Sequence, residues 1–103
     1  MKGREFFKDL VSVDIETTGR DSLSDKIWSM GFARRNSERE LFINSLGSND
    51  PQAYLDFMMR SSADFTQAQL DRGSLTPFFD SLKSNQAMSP GIAAQELTRE
   101  LSQ

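Results

Sequence analysis

The sequence predicts an α/β protein in which a three-stranded antiparallel meander over residues 10–46 is followed by short helices over residues 50–103. Two observations carry this prediction. Strand-like segments in the first half are joined by a polar turn of a few residues, and strands joined so closely must be antiparallel. In the second half, apolar residues recur at helical spacing behind polar residues and prolines that typically begin helices. With 103 residues and no linker between the halves, residues 1–103 are interpreted as belonging to a single domain.

The three predicted strands follow one another closely. Residues 10–15 alternate apolar and polar side chains and end at a Thr-Thr-Gly turn, which is typical of a strand. Residues 27–35 form the second strand, and a short polar turn leads to the third at residues 39–44. Both faces of the second strand carry apolar or small groups, so we expect it to be covered on both sides. These faces are Ile27, Ser29, Gly31 and Ala33 on one side, and Trp28, Met30 and Phe32 on the other.

Four helices are predicted from their start and stop signals. Asp50 followed by Pro51 is typical of an N-cap with proline at the first helical position. Residues 62–71 form a second short helix that Gly73 ends. Thr-Pro at residues 76–77 begins a third helix and Ser-Pro at residues 89–90 begins a fourth. The fourth helix continues the period through Ile92, Ala93, Glu96, Leu97, Glu100 and Leu101.

Composition excludes several classes of chemistry. The chain has no Cys and no His, so cysteine nucleophiles, histidine bases and Cys or His metal ligands are absent from it. Its net charge of -3 gives no basic excess for coating nucleic acid, although a local site stays possible. Apolar stretches of three or four residues are far too short to span a bilayer, and the first ten residues lack a signal-peptide core. We therefore expect a cytoplasmic protein without a membrane partner.

One motif stands out, the segment VDIETTG at residues 13–19. Asp14 and Glu16 are two residues apart on a predicted strand, so their side chains project from the same face. Two neighbouring carboxylates repel each other unless a cation lies between them, and oxygen ligands suit Mg²⁺ or Mn²⁺. The Thr-Thr-Gly turn that follows offers hydroxyls and backbone N–H groups to a sugar or a phosphate. A solvated strand end followed by an ordinary turn would explain the same spacing.

The residues around this motif resemble the first motif of the DEDD, or DnaQ-like, 3′-to-5′ exonuclease family. In that family a variable loop and a strand of the pattern I-x-x-[IM]-G follow the motif, and residues 27–31 here read IWSMG. A third strand and a helical stretch then come in the same order. The resemblance covers about the first 45 residues and is closest over residues 10–35. It implies an RNase H-like α/β fold of which residues 1–103 are the N-terminal part.

The resemblance also implies roles for individual residues. Asp14 would bridge two divalent metal ions, and Glu16 would bind one of them. Thr17 and Thr18, with Gly19 in the same loop, would line the pocket for the 3′-terminal nucleotide. The reaction would be hydrolysis of the terminal phosphodiester of DNA or RNA, most simply of a single strand, with Mg²⁺ or Mn²⁺ as the two-metal cofactor.

The family's second and third motifs, which supply two further Asp ligands and a His or Tyr base, have no counterpart in this sequence. Tyr54 lies too early in the chain to be that base. We therefore expect the isolated chain to be inactive, and the remainder of the domain to be supplied by the same or another chain. The other Asp residues are expected to be solvated; they are Asp21, Asp25, Asp50, Asp56, Asp64 and Asp71.

A second function is also compatible with the sequence. The chain would then be a catalytically inactive interaction module that docks on a partner protein, with Asp14 and Glu16 structural or vestigial. Basic residues near the motif leave two interpretations open in the same way: they either neutralise substrate phosphates or balance nearby carboxylates. These residues are Arg20, Lys26, Arg34 and Arg35.

Overall fold

The structure, a computed structural model, describes residues 10–21 and 23–102. It contains a three-stranded antiparallel sheet followed by four helices, which confirms the predicted α/β order. The strands are β1 (Ser12–Thr17), β2 (Ile27–Arg34) and β3 (Ser37–Phe42), and the helices are α1 (Pro51–Ser61), α2 (Ala63–Arg72), α3 (Thr76–Lys83) and α4 (Pro90–Leu101).

The sheet has the order β1-β2-β3, so β2 is the central strand and β1 lies at an edge. Strand β3 begins two residues earlier than predicted, because Arg34 pairs directly with Ser37 across a two-residue turn. At the far side of β3, the Met88 N–H donates to the Phe42 carbonyl at 2.9 Å and a parallel bridge joins Ile43 to Met88. The end of β3 is therefore covered by backbone, whereas, within residues 10–21 and 23–102, β1 pairs on one side only.

The register between β1 and β2 shifts at one point, between Glu16 and Thr17. Glu16 pairs with Ser29 but Thr17 pairs with Ile27, so Trp28 is an extra residue in β2. The prediction that Trp28 shares a face with Met30 and Phe32 is wrong for this reason. The Trp28 side chain is buried as expected, but it packs in a different cluster from those two residues.

The cluster around Trp28 lies between the sheet and the first three helices. Phe78 is its centre, with ring centroids 5.1 Å from Trp28 and 5.0 Å from Tyr54, the latter edge to face. All six buried members are 2% exposed or less: Trp28, Tyr54, Met58, Leu75, Phe78 and Leu82. Burying this much aromatic surface fixes the helices on one face of β2.

A second cluster covers the opposite face of β2 and is closed by α4. It comprises Met30, Phe32, Leu41 and Ile43 of the sheet segment with Ala93 of the helix. The prediction that β2 is covered on both faces is thus confirmed in part: Ser29 is buried on the face of the first cluster, whereas Gly31 and Ala33 on that face are half-buried.

Helix α4 is oriented by ion pairs as well as by apolar contacts. Of the predicted periodic residues, Ala93, Glu96, Leu97 and Glu100 are buried or half-buried, whereas Ile92 is 47% and Leu101 60% exposed. The Arg34 guanidinium donates to the Glu100 carboxylate at 3.2 Å and to the Glu100 carbonyl at 2.6 Å. A charged face of α4 therefore packs against the end of the sheet.

The predicted helix signals are confirmed. The Asp50 carboxylate accepts from the Gln52 N–H at 3.0 Å, and the Ser89 hydroxyl accepts from the Ile92 N–H at 3.3 Å. Gly73 ends α2 with φ 72°, a left-handed conformation that favours glycine. Among the described residues, no helix has the length and apolar character needed to cross a membrane.

Candidate functional site at the end of strand β1

Asp14 and Glu16 lie on the same face of β1, as their spacing predicts. The register is regular between them, with Asp14 opposite Gly31 and Glu16 opposite Ser29. Asp14 is exposed and Glu16 is half-buried. The two carboxylates therefore stand side by side at the point where β1 passes from solvent into the folded body.

The surface of the sheet beside Asp14 consists of small residues and further acidic residues. Asp14, Gly31 and Glu40 form one row across the three strands. Gly31 carries no side chain, so the space between the two carboxylates of that row is open. The Ser29 hydroxyl donates to Glu40 at 3.0 Å and directs that carboxylate toward the centre of the sheet. This face is acidic and accessible, a surface that attracts cations.

Glu16 is held from the other side by α2. The Gln69 side-chain amide donates to Glu16 Oε2 at 3.2 Å, and Gln69 itself is only 3% exposed. The Ser74 hydroxyl donates to Gln69 Oε1 and, at 3.1 Å, to the Gln69 carbonyl. Neither residue could be found from the sequence, since 53 positions separate Gln69 from Glu16 and no motif connects them.

The loop after β1 is closed by its own hydrogen bonds. Thr18 is 1% exposed; its hydroxyl donates to Asp25 at 2.8 Å and accepts from the Lys26 N–H at 2.9 Å. The Thr17 hydroxyl donates to the Gly19 carbonyl at 2.6 Å. The predicted substrate-binding residues thus form an ordered turn in which both hydroxyls are already engaged, and their role toward a nucleotide stays a prediction.

Asp25 is the residue that closes this loop. Its carboxylate accepts from the Asp21 N–H at 2.7 Å as well as from Thr18. The Asp21 N–H, with help from the Thr18 hydroxyl, lowers the pKa of Asp25 from its ordinary value of 3.8. A Cβ atom on Gly19 would lie 2.5 Å from the Asp25 carboxylate, which explains glycine at this position. Asp25 is therefore not simply solvated, contrary to the expectation for it.

The basic residues near the loop differ in their contacts. Arg20, Lys26 and Arg35 are exposed, as either interpretation of them requires. Arg34 instead binds Glu100 of α4, on the far side of the sheet's second cluster. Arg34 therefore fixes the fold and is not directed at the carboxylate pair.

Tyr54 is part of the core. It is 0% exposed, its hydroxyl donates to the Asn44 side-chain oxygen, and it accepts from the Leu46 N–H at 2.8 Å. Burial raises the pKa of Tyr54 above its ordinary value of 10.0. A buried neutral phenol held in this way cannot serve as a base beside Asp14, in agreement with the exclusion made from its position in the chain.

Two carboxylates alone make an incomplete metal site. Over residues 10–21 and 23–102, no group of three or more His, Cys, Asp or Glu side chains is arranged to hold a metal ion. Asp14 and Glu16 offer the hard oxygen donors that Mg²⁺ or Mn²⁺ takes, and they are open on one side to further ligands. The donor set fits part of a divalent-metal site and leaves the remaining ligands to come from elsewhere.

Comparison with protein-family models, curated proteins and solved structures finds no match to this chain. The resemblance to DEDD exonucleases is one of sequence, over the VDIETTG motif and the strand that follows it, and it stays a prediction.

Proposed function

We propose that this chain supplies the first metal-binding motif of a metal-dependent 3′-to-5′ exonuclease. The observation that carries the proposal is the placement of Asp14 and Glu16, side by side on an accessible face at the end of an edge strand. Around them lie an ordered Thr-Thr-Gly turn and an accessible sheet surface with small side chains. This is the arrangement expected for oxygen ligands of a hard divalent cation beside a binding loop.

In this proposal Asp14 and Glu16 hold the ions, and the turn at residues 17–19 orients the 3′-terminal nucleotide. Bound divalent ions supply an activated water and stabilise the leaving 3′-oxygen of the scissile phosphodiester. The chain itself contributes charge neutralisation and position. Because it has no Cys and no His, a reaction without a side-chain nucleophile suits its composition.

The free edge of β1 supports the idea that the remaining ligands come from a further segment. Val13 is 41% and Ile15 47% exposed, although both are apolar residues within a strand. An unpaired strand edge with exposed apolar side chains is a place where another strand adds. A strand added there, from the same or another chain, would lie directly beside Asp14 and Glu16.

The same edge favours a second candidate function, that of an interaction module without catalysis. Backbone pairing along β1 and apolar contact with Val13 and Ile15 would then dock a partner protein. The two functions differ in what Asp14 does. In the exonuclease it is a metal ligand, whereas in the module its charge contributes nothing to binding.

Mn²⁺ binding by the chain tests the proposed function directly. We expect added Mn²⁺ to raise the melting temperature, by a stabilisation that reaches about 2.7 kcal/mol at a hundred times the dissociation constant. Asp14→Asn should remove this response. Asp56→Asn is the matched control, since Asp56 is an exposed acid of α1 outside the sheet, and it should leave the response intact. An equal response in the Asp14 variant would contradict the proposal.

Nuclease activity tests it at the level of the whole gene product. The product of the full gene should release nucleotides from the 3′ end of single-stranded DNA when Mn²⁺ is present. Asp14→Ala should abolish this release, whereas Asp56→Asn, a change on α1 outside the sheet, should not. Activity that persists in the Asp14 variant, or a product that binds a protein partner but never cleaves, would favour the interaction module.

A further inference from the structure

Glu16 differs from Asp14 in that one of its two oxygens is already engaged. The Gln69 amide donates to Oε2 at 3.2 Å, while Asp14 lies exposed on the same face two residues away. A carboxylate fixed through one oxygen has fewer orientations, so its other oxygen is presented in a defined direction. The contact joins the C-terminal half of α2 to the end of β1.

The orientation of the Gln69 amide is itself determined by its surroundings. An amide can present either its oxygen or its NH₂ group to a neighbour, and the hydrogen-bond partners decide which. A carboxylate only accepts, so the NH₂ group is the end directed at Glu16, and the Ser74 hydroxyl donates to Oε1 at the other end of the amide. Ser74 reaches this position because Gly73 reverses the chain at the end of α2, and the Ser74 N–H then donates to the Gln69 carbonyl at 3.2 Å.

We infer that Gln69 is a positioning residue for Glu16: its amide, held at the other end by Ser74, engages Glu16 Oε2 and directs Oε1 toward a divalent cation. The inference rests on the proposed function, because it concerns the same site. It assigns to α2 a part in metal binding that neither the VDIETTG motif nor its spacing indicates. Hydrogen-bonded partners of this kind hold metal-ligating side chains in proteins, and their loss typically weakens metal affinity by about 10–100-fold.

Burial is what distinguishes Gln69 from the other glutamine of the same helix. Gln69 is 3% exposed and points into the body, whereas Gln67 is exposed and donates to Asp71 at 2.9 Å. The two residues therefore offer a matched pair. Gln69→Met keeps the length of the side chain but removes the donor, and Gln67→Met makes the same change at a site that does not touch Glu16.

The test measures Mn²⁺ affinity of the complete chain by calorimetry, together with the melting temperature of the metal-free chain. We expect Gln69→Met to weaken Mn²⁺ binding by about tenfold or more. Gln67→Met should leave the affinity unchanged. Ser74→Ala, which leaves Gln69 in place but frees its amide to rotate, should weaken binding in the same direction by a smaller factor, and it serves if Gln69→Met does not fold.

Three other results would overturn the inference in distinguishable ways. Unchanged Mn²⁺ affinity in Gln69→Met with a lower metal-free melting temperature would show that Gln69 only ties α2 to β1. An affinity lowered equally by Gln67→Met would show a general effect of α2. No Mn²⁺ binding by the unsubstituted chain would overturn the proposed function first, and the role of Gln69 in metal binding with it.

Discussion

Strands β1 and β2 are hydrogen-bonded neighbours with opposite surroundings. Phe32 of β2 is 3% exposed, while Val13, directly opposite on β1, is 41% exposed. One pair further along, Met30 is 6% and Ile15 47% exposed. Strand β2 packs against the second cluster on one face and against the Trp28 cluster at the start of the other, whereas, among the described residues, most of β1 is held by its ladder with β2 and by its C-terminal end.

The difference teaches that strand pattern and strand burial are separate properties. Both segments consist of residues with high strand propensity, but only β2 is covered by helices. The stable part of the molecule is therefore β2, β3 and the helices on them. Strand β1 is attached to this body with its carboxylates and one edge left accessible, which is where a binding function is expected.

The largest effect should come from truncating the buried member of an opposite pair. We expect Phe32→Ala to lower the free energy of unfolding by about 3–5 kcal/mol, since it leaves a cavity in the second cluster. Val13→Ala should lower it by less than about 1 kcal/mol, because this side chain is already half in water. Urea denaturation measures both. Equal losses would mean that β1 is buried to the same degree as β2.

A second prediction concerns the charged contact that seats α4 on β2. Arg34→Met should cost about 2 kcal/mol, because Glu100 loses a charged donor in a setting where its side chain is only 12% exposed. Lys83→Met is the control: its contact with Asp80 is 3.6 Å long and both side chains are more than 60% exposed. That change should stay within about 0.5 kcal/mol. Similar losses from both would show that the Arg34 pair contributes no more than a surface pair.

A third prediction concerns the core beneath Trp28. Tyr54→Phe should cost about 1–2 kcal/mol, because the Leu46 N–H and the Asn44 side chain lose their shared partner. Burial raises the pKa of Tyr54 above 10.0, so the stability linked to its neutral form is present below pH 10 and declines as the pH rises further.

The chain has a single tyrosine, so ultraviolet absorbance can follow this ionisation without interference from a second phenol. The phenolate band should develop above pH 10 in the folded chain and near pH 10 in the unfolded one. A folded-state titration at the unfolded value would contradict the buried position.

The smallest effect should come from the loop that fixes the end of β1. Hydrogen bonds from the Asp21 N–H and Thr18 hold the pKa of Asp25 below 3.8, so the stability it contributes is present above that pH. This stability is lost as the pH falls through the lowered pKa. Asp25→Asn should therefore lower the melting temperature slightly at pH 7 and flatten its fall below pH 4, so that the curves of the two proteins converge in acid. Parallel curves for the two proteins would show that Asp25 carries no such linkage.

Most of the fold could be predicted because its signals are local. Asp50-Pro51 and Ser89-Pro90 act on the next few residues, and Gly73 acts on the helix just before it. The short turn between β2 and β3 is equally local. Contacts between distant segments were not predictable: the extra residue at Trp28 depends on how β1 pairs, and the burial of Glu100 depends on an arginine 66 positions away.

The same distinction between local signals and contacts of distant segments applies to the candidate site. Asp14 and Glu16 could be placed on one face because the period of a strand is two residues. The position of Gln69 beside Glu16 requires the packing of α2 against the sheet, which no short pattern encodes. Asp25 was expected in solvent because it follows a polar loop, and its bonds to Thr18 and Asp21 become visible only when the loop closes.

The two borders of the sheet are unequal, and this has a consequence for timing. Backbone around Met88 occupies the outer side of β3 at residues 42–44, whereas, among the described residues, the whole outer side of β1 offers its amides and carbonyls to a further strand. Recruitment of that strand would place its side chains against the carboxylate pair at the moment of joining. In the proposed exonuclease, assembly would therefore complete the ion-binding site, and neither part alone would cut nucleic acid.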